Sequence, residues 1–101
     1  MVRGWLGASL LPLGDATRAQ LSLEPGSGAE VARVDRDSPA SRAGLALRDV
    51  IVTFEGEAVR DLDALQWKIA TFEKPTRVKL SFLRDRQLHD VEAQIEIDPQ
   101  K

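Results

Sequence analysis

Arg3-Gly4-Trp5-Leu6-Gly7-Ala8-Ser9-Leu10-Leu11 sets two glycines into an apolar run, and Pro12 and Gly14 close that run. A short apolar stretch bounded by such breakers reads as a strand followed by a turn. Asp15 is placed to cap a short helix over residues 15–21, with Leu13, Ala16, Ala19 and Leu23 giving it only a weak apolar face. Glu24-Pro25-Gly26-Ser27-Gly28 is a loop by every breaker rule, and it is too short to link two domains.

Working outward, residues 29–34 read as a second strand, with Val31 and Val34 apolar. Ser38 caps a helix that Pro39 starts at its first position, over residues 39–43, and Gly44 supplies the left-handed stop. Residues 49–54 hold Val50, Ile51, Val52, Thr53 and Phe54, the densest β-forming run in the chain. Glu55-Gly56-Glu57 turns the chain, and Ala58-Val59 follows as a brief strand. Asp61 caps the one long helix, residues 61–72, in which Leu62, Leu65, Ile69 and Phe72 share a face. Val78, Leu80 and Phe82 alternate with Lys79 and Ser81; Val91, Ala93, Ile95 and Ile97 alternate with Glu92, Gln94 and Glu96. Those two segments flank Arg84-Asp85-Arg86-Gln87 and predict a hairpin with one wet face. The sum is one α+β, mostly β domain over residues 1–101, with five or six strands, one long helix and one or two short ones.

Composition limits what such a domain does. The chain has 101 residues, 43% of them hydrophobic, enough for a single core. Its 16 acids and 14 bases leave a formal charge of -2, which argues against nucleic acid or an anionic membrane as partner. There is no cysteine, and the single histidine, His89, cannot build a multi-histidine metal site. No apolar run approaches the roughly 18 residues of a membrane span, and no signal peptide is evident. Met1 reads as a start residue on an excised domain, and Asp98 to Lys101 as a tail. Ser9, Ser27, Ser38, Ser41 and Ser81 have only His89 to activate them and lack a nucleophile-elbow motif, so no catalytic residue, metal or cofactor is expected.

The order of motifs resembles the PDZ domains of HtrA/Deg-family bacterial serine proteases of the DegP and DegQ kind. Arg3 to Ala8 is similar to their carboxylate-binding loop; Gly28 to Val34, Asp37-Ser38-Pro39-Ala40, Ala43-Gly44-Leu45, Asp49-Val50-Ile51, Gly56 with Val59, the helix at 61–71 and Leu83-Arg84-Asp85 follow in family order. The resemblance implies a PDZ-like partly open β-sandwich or barrel in the circularly permuted bacterial arrangement. Three positions depart from the pattern: Arg48 and Arg86 stand where glycine is usual, and Lys74-Pro75-Thr76 lacks the usual Pro-Gly.

The resemblance also implies a function, capture of C-terminal carboxylates by β-strand addition. Gly4, Trp5, Leu6, Gly7 and Ala8 form the carboxylate loop, with the amides of Leu6, Gly7 and Ala8 as donors and glycines letting the backbone turn. Ser9 and Leu10 pair with the peptide. Leu6, Ala8, Leu65 and Ile69 wall an apolar pocket for its last side chain, and the small Ala8 deepens it. Leu62, Gln66 and Lys68 border the groove; for Arg3, a water-mediated role at the carboxylate and an ordinary surface position both stay open. Trp67 lies opposite the apolar stripe of its helix and suits a domain or partner contact. The implied partners are C-terminal tails of unfolded or envelope proteins and an adjacent serine protease domain. The implied setting is a bacterial periplasm or envelope, with a homo-oligomeric parent and a monomeric isolated domain. Two alternatives stand beside this: a structural PDZ that joins protease subunits, or the same fold in another membrane-associated protease or a secretion component.

Overall fold

β-Branched and aromatic runs form the strands, and in a computed structural model describing residues 4–23 and 27–97 they join into one antiparallel system. In chain order the elements are β1 (Gly4–Trp5), β2 (Ala8–Pro12), α1 (Asp15–Gln20), β3 (Ala29–Val34), α2 (Pro39–Ala43), β4 (Val50–Phe54), β5 (Glu57–Ala58), α3 (Leu62–Ala70), β6 (Thr76–Arg84) and β7 (Gln87–Ile97). The expected mostly β architecture with three helices holds. Seven strands replace the expected five or six, because the single strand expected in the first apolar run is divided at Leu6-Gly7 into β1 and β2, while the brief strand expected at Ala58-Val59 is present as β5.

The strand order is β1-β7-β6-β4-β3-β2, with β5 attached to β4. β1 and β2 are therefore neighbours in the chain and sit at opposite ends of the sheet. Leu6 and Gly7 alone connect them, and three residue steps span at most roughly 11 Å. The sheet must curl until its ends nearly meet, which makes a barrel that stays open between β1 and β2. Inside it lie Val31, Ile51, Val78 and Ile95, each almost wholly buried, with Leu80 and Phe82 beside them.

The longest pairing is the β6–β7 hairpin, in register from Thr76↔Ile95 to Arg84↔Gln87. Asp85 and Arg86, with φ of 53° and 65°, make the two-residue turn whose twist matches that of the strands. Arg86 thus takes the left-handed conformation that glycine usually fills. His89, near this turn, is half-buried: it faces Phe82 across the ladder and stacks on its ring, with centroids 5.2 Å apart.

Caps fix the helices. Ser38 Oγ accepts from the Ser41 N–H at 3.1 Å and donates to the Asp35 carbonyl at 2.7 Å, and Gly44 closes α2 with φ 89°. Asp61 Oδ1 accepts from the Ala64 N–H at 2.7 Å at the start of α3. That helix stops at Ala70, two residues short of expectation, and Phe72 turns in to pack edge-on against Phe54. Asp15 is not a cap: Gly14 holds that position and Asp15 is the first helical residue, paired with Arg18. No residue of α1 is buried, in keeping with its weak apolar face.

One ion pair ties the far end of the barrel together. Asp49, 2% exposed, takes Arg84 Nε at 2.9 Å and Nη2 at 2.6 Å, and the Ala46 N–H at 2.8 Å. Arg84 also donates to the Gly44 carbonyl at 2.8 Å, and the hydrogen bond to Asp49 raises its pKa above the ordinary guanidinium value. Arg48 precedes this anchor in the left-handed region, φ 74°, at a position where glycine is usual in the family it resembles. Its side chain is exposed and forms no ion pair among the described residues. Arg48→Gly should raise the unfolding free energy by about 1 kcal/mol. Urea denaturation of the two proteins measures it, and an unchanged or lowered midpoint would contradict the strain assigned to this residue.

Candidate functional site

The connection between the ends of the sheet is held by its carbonyls. The Ala40 N–H donates to the Leu6 carbonyl at 2.8 Å, and the Asp35 N–H donates to the Gly7 carbonyl at 2.7 Å. The two donors lie on either side of Ser38, the cap of α2. Among the described residues, nothing accepts from the N–H groups of Leu6 and Gly7. A buried peptide N–H without a partner costs free energy, so two of them side by side mark a place where an anion is welcome.

The two glycines of the loop work differently. Gly7 has φ 83°, and a Cβ there would stand 2.2 Å from the Ser38 Cβ. It meets the expectation of a turn glycine and also lets the loop lie against α2. Gly4 does not turn the chain; it sits in β1 opposite Ile97, and a Cβ on it would come within 2.0 Å of the Ile69 carbonyl oxygen. Its absent side chain is what allows the loop to touch the end of α3.

β2 is the sheet's free edge, and its register sets what that edge offers. The Asp35-to-Gly7 bond makes Ala8↔Val34 a non-hydrogen-bonded pair, so Ala8 turns its N–H and C=O away from β3. Val31 spends its own N–H on the Asp49 carbonyl and its C=O on the Arg48 N–H, so Leu10, opposite it, is likewise turned outward. A bulge between Ser9 and Leu10 keeps this phase. Ser9, expected to pair with a peptide, directs its backbone groups to β3, and Ala8 takes that place beside Leu10. An edge with two residues in this phase is a ready template for an antiparallel strand.

Between β2 and α3 runs a groove of about 360 Å³. Leu6, Ala8 and Leu10 line one side and Gln66, Ile69 and Ala70 the other, with Trp5 near the loop. Of the expected pocket residues, Leu6, Ala8 and Ile69 are brought together here. Leu65 is not: it is 3% exposed and borders a separate hollow of about 380 Å³ on the other side of α3, with Phe54 and Val59. Lys68, expected at the groove, lies on that far side too and pairs with Glu57, whose carboxyl it holds below the usual carboxylate range. Leu62 is half-buried against the core and borders neither hollow, and Arg3 lies outside the described residues. Gln66 moves from border to wall. Ala70 went unnoticed in the sequence, although its four-residue spacing from Gln66 was the signal that places both on one helix face.

Residues 4–95 match the family model for PDZ domains. The chain belongs to the PDZ-domain family. A probable periplasmic serine endoprotease, DegP-like, from Chlamydia muridarum is 36% identical over 91 residues, which are 90% of this chain and 18% of that protein. This PDZ chain therefore spans about a fifth of the curated relative's length. A solved structure described as HtrA-type protease AlgW with tripeptide superposes with a TM-score of 0.86 at 30% identity, over 100% of this chain and 34% of the other. The HtrA3 PDZ domain bound to a phage-derived ligand (FGRWV) shares the fold, with a TM-score of 0.78 at 21% identity over 97% of this chain and 89% of that one.

Gly7 and Gly44 have nearly the same φ, but a Cβ at Gly44 meets nothing within 4 Å. Gly44→Ala should cost about 1 kcal/mol for conformation alone. Gly7→Ala should cost clearly more, because Ser38 must also yield. Thermal unfolding of both variants compares them, and equal losses would show that the loop is not packed against α2.

Proposed function

We propose that this PDZ domain captures the free C-terminus of a polypeptide by adding its last residues as a strand to β2. The terminal carboxylate lies on the N–H groups of Leu6, Gly7 and Ala8, and the last side chain enters the groove between β2 and α3. The observation that carries this reading is the phase of the edge. The backbone of Ala8 and Leu10 opens outward on the same strand whose preceding loop has spent its carbonyls and kept its amides. A carboxylate bound by neutral amides needs no excess of positive charge on the protein, which fits a net charge of -2.

The groove takes an apolar terminal side chain: Leu6, Leu10 and Ile69 are among its walls, and Ala8 and Ala70 leave it room. Burying such a side chain contributes about 1.5–3 kcal/mol. With a few charge-assisted and strand hydrogen bonds offset by ordering of the peptide, the affinity falls in the micromolar range.

In a longer parent the domain regulates or feeds a trypsin-like serine protease domain, in a bacterial periplasm. Support for this comes from the relative named a periplasmic serine endoprotease and from the similar structure of an HtrA-type protease with tripeptide. A second reading, a structural contact between protease subunits, has one observation in its favour: Trp67 is 71% exposed on α3 and does not line the groove.

Titration with a peptide ending in leucine, as free acid and as amide, separates the two readings. The free acid should bind at least tenfold more tightly, and Ala70→Glu, which puts a carboxylate into the groove at a half-buried position, should remove that binding while leaving the thermal transition in place. Equal affinity for acid and amide would overturn the carboxylate mechanism. Absence of binding to either would leave the subunit contact as the better reading.

A further inference from the structure

We propose that the face of β2 turned away from the groove selects the ligand's fourth residue from the end, and that Leu11 with Glu30 makes it lysine or arginine. The inference rests on strand addition to β2 and adds a second specificity to it.

Register places the peptide. Ala8 offers both its N–H and its C=O to the open edge and is one of the three amides of the carboxylate site, so the terminal residue lies opposite Ala8. In an antiparallel addition the second-last residue then faces Ser9, the third Leu10 and the fourth Leu11. Side chains alternate between the faces of a sheet. The terminal and third residues thus point into the groove, while the second and fourth lie outside it, beside Ser9 and Leu11.

At the fourth position the protein has a built surface. Leu11 is 52% exposed, a large apolar side chain on a free edge. It pairs across the ladder with Glu30, which is half-buried and forms no ion pair among the described residues. Because Leu10↔Val31 is a non-hydrogen-bonded pair, Leu11 gives its backbone groups to β3. It then meets the ligand in a non-hydrogen-bonded pair, where side chains come closest. Ligand residue, Leu11 and Glu30 form one row across three strands, so the peptide Cα lies about 10 Å from that of Glu30. A lysine or arginine covers this distance, laying its methylene stem on Leu11 and bringing its charge to the Glu30 carboxylate. A glutamate would meet a like charge instead.

The neighbouring row has no such preference to give. Ser9 is small, and Arg33, opposite it, is already paired with Asp35 at 2.9 Å. Beyond Leu11, Pro12 has no N–H and ends the strand, so the fourth residue is the last that this face reads.

The test uses three hexapeptide free acids of alanine ending in leucine, with lysine, alanine or glutamate at the fourth position from the end. Binding is followed by the fluorescence of Trp5 in a Trp67→Phe background. Lysine should bind about threefold more tightly than alanine, as an exposed pair allows, and glutamate more weakly than either, with the differences shrinking in high salt. Glu30→Lys should reverse the order of lysine and glutamate, and Glu30→Gln should bring them together. Equal binding of all three peptides, or a lysine preference that survives both substitutions, overturns this inference and leaves strand addition standing. No binding of any free acid overturns strand addition itself.

Discussion

The two-residue connection between opposite ends of the sheet constrains everything else in this domain. Leu6 and Gly7 reach from β1, paired with β7, to β2, paired with β3. To hold that short span they give both carbonyls to the Asp35 and Ala40 amides. A peptide group that turns its carbonyl inward turns its N–H the other way. The outward-facing amides are therefore a by-product of closing the barrel, and the anion site proposed on them needs no dedicated cation. The same closure leaves β2 as a free edge, since the gap in the barrel runs along it.

The groove inherits its shape from contacts made for stability. Gly4 lets β1 press against the Ile69 carbonyl, which brings the end of α3 up to the loop. Ile69 is 7% exposed and belongs to the core as much as to the groove, whereas Gln66 and Ala70 belong to the groove alone. Substitutions at Ile69 therefore mix folding with binding. The opposite side of α3 is engaged elsewhere, through Leu65 in the core and Lys68 on Glu57.

Local chemistry made much of this legible in advance. Ser38, Pro39, Gly44 and Asp61 each act within three residues of themselves, so their roles as cap, starter and stop survive folding unchanged. The alternation in β6 and β7 needs only the period of a strand. What escaped was set by distant partners. Gly4 looks like a turn residue until Ile69 is brought to it, and Asp49 and Arg84, 35 residues apart, give no sign of pairing. Placing Leu65 in the groove failed because a nine-residue helix has a core face and a groove face only about 100° apart, and apolarity does not tell them apart. The β2 sequence makes Ser9 look like a residue that pairs with a peptide because strand phase depends on the β3 partner and its bulge, neither of which that sequence carries.

In the proposed mechanism one loop and one strand phase do the recognition. Backbone amide NMR during titration with a leucine-terminated free-acid peptide measures this residue by residue. The N–H resonances of Leu6, Gly7, Ala8 and Leu10 should show the largest shifts, in the direction of stronger hydrogen bonding, while Trp67, Lys68 and the β6–β7 turn stay nearly still. Largest shifts on the Trp67 side of α3 or along β7, with the loop amides unmoved, would contradict it.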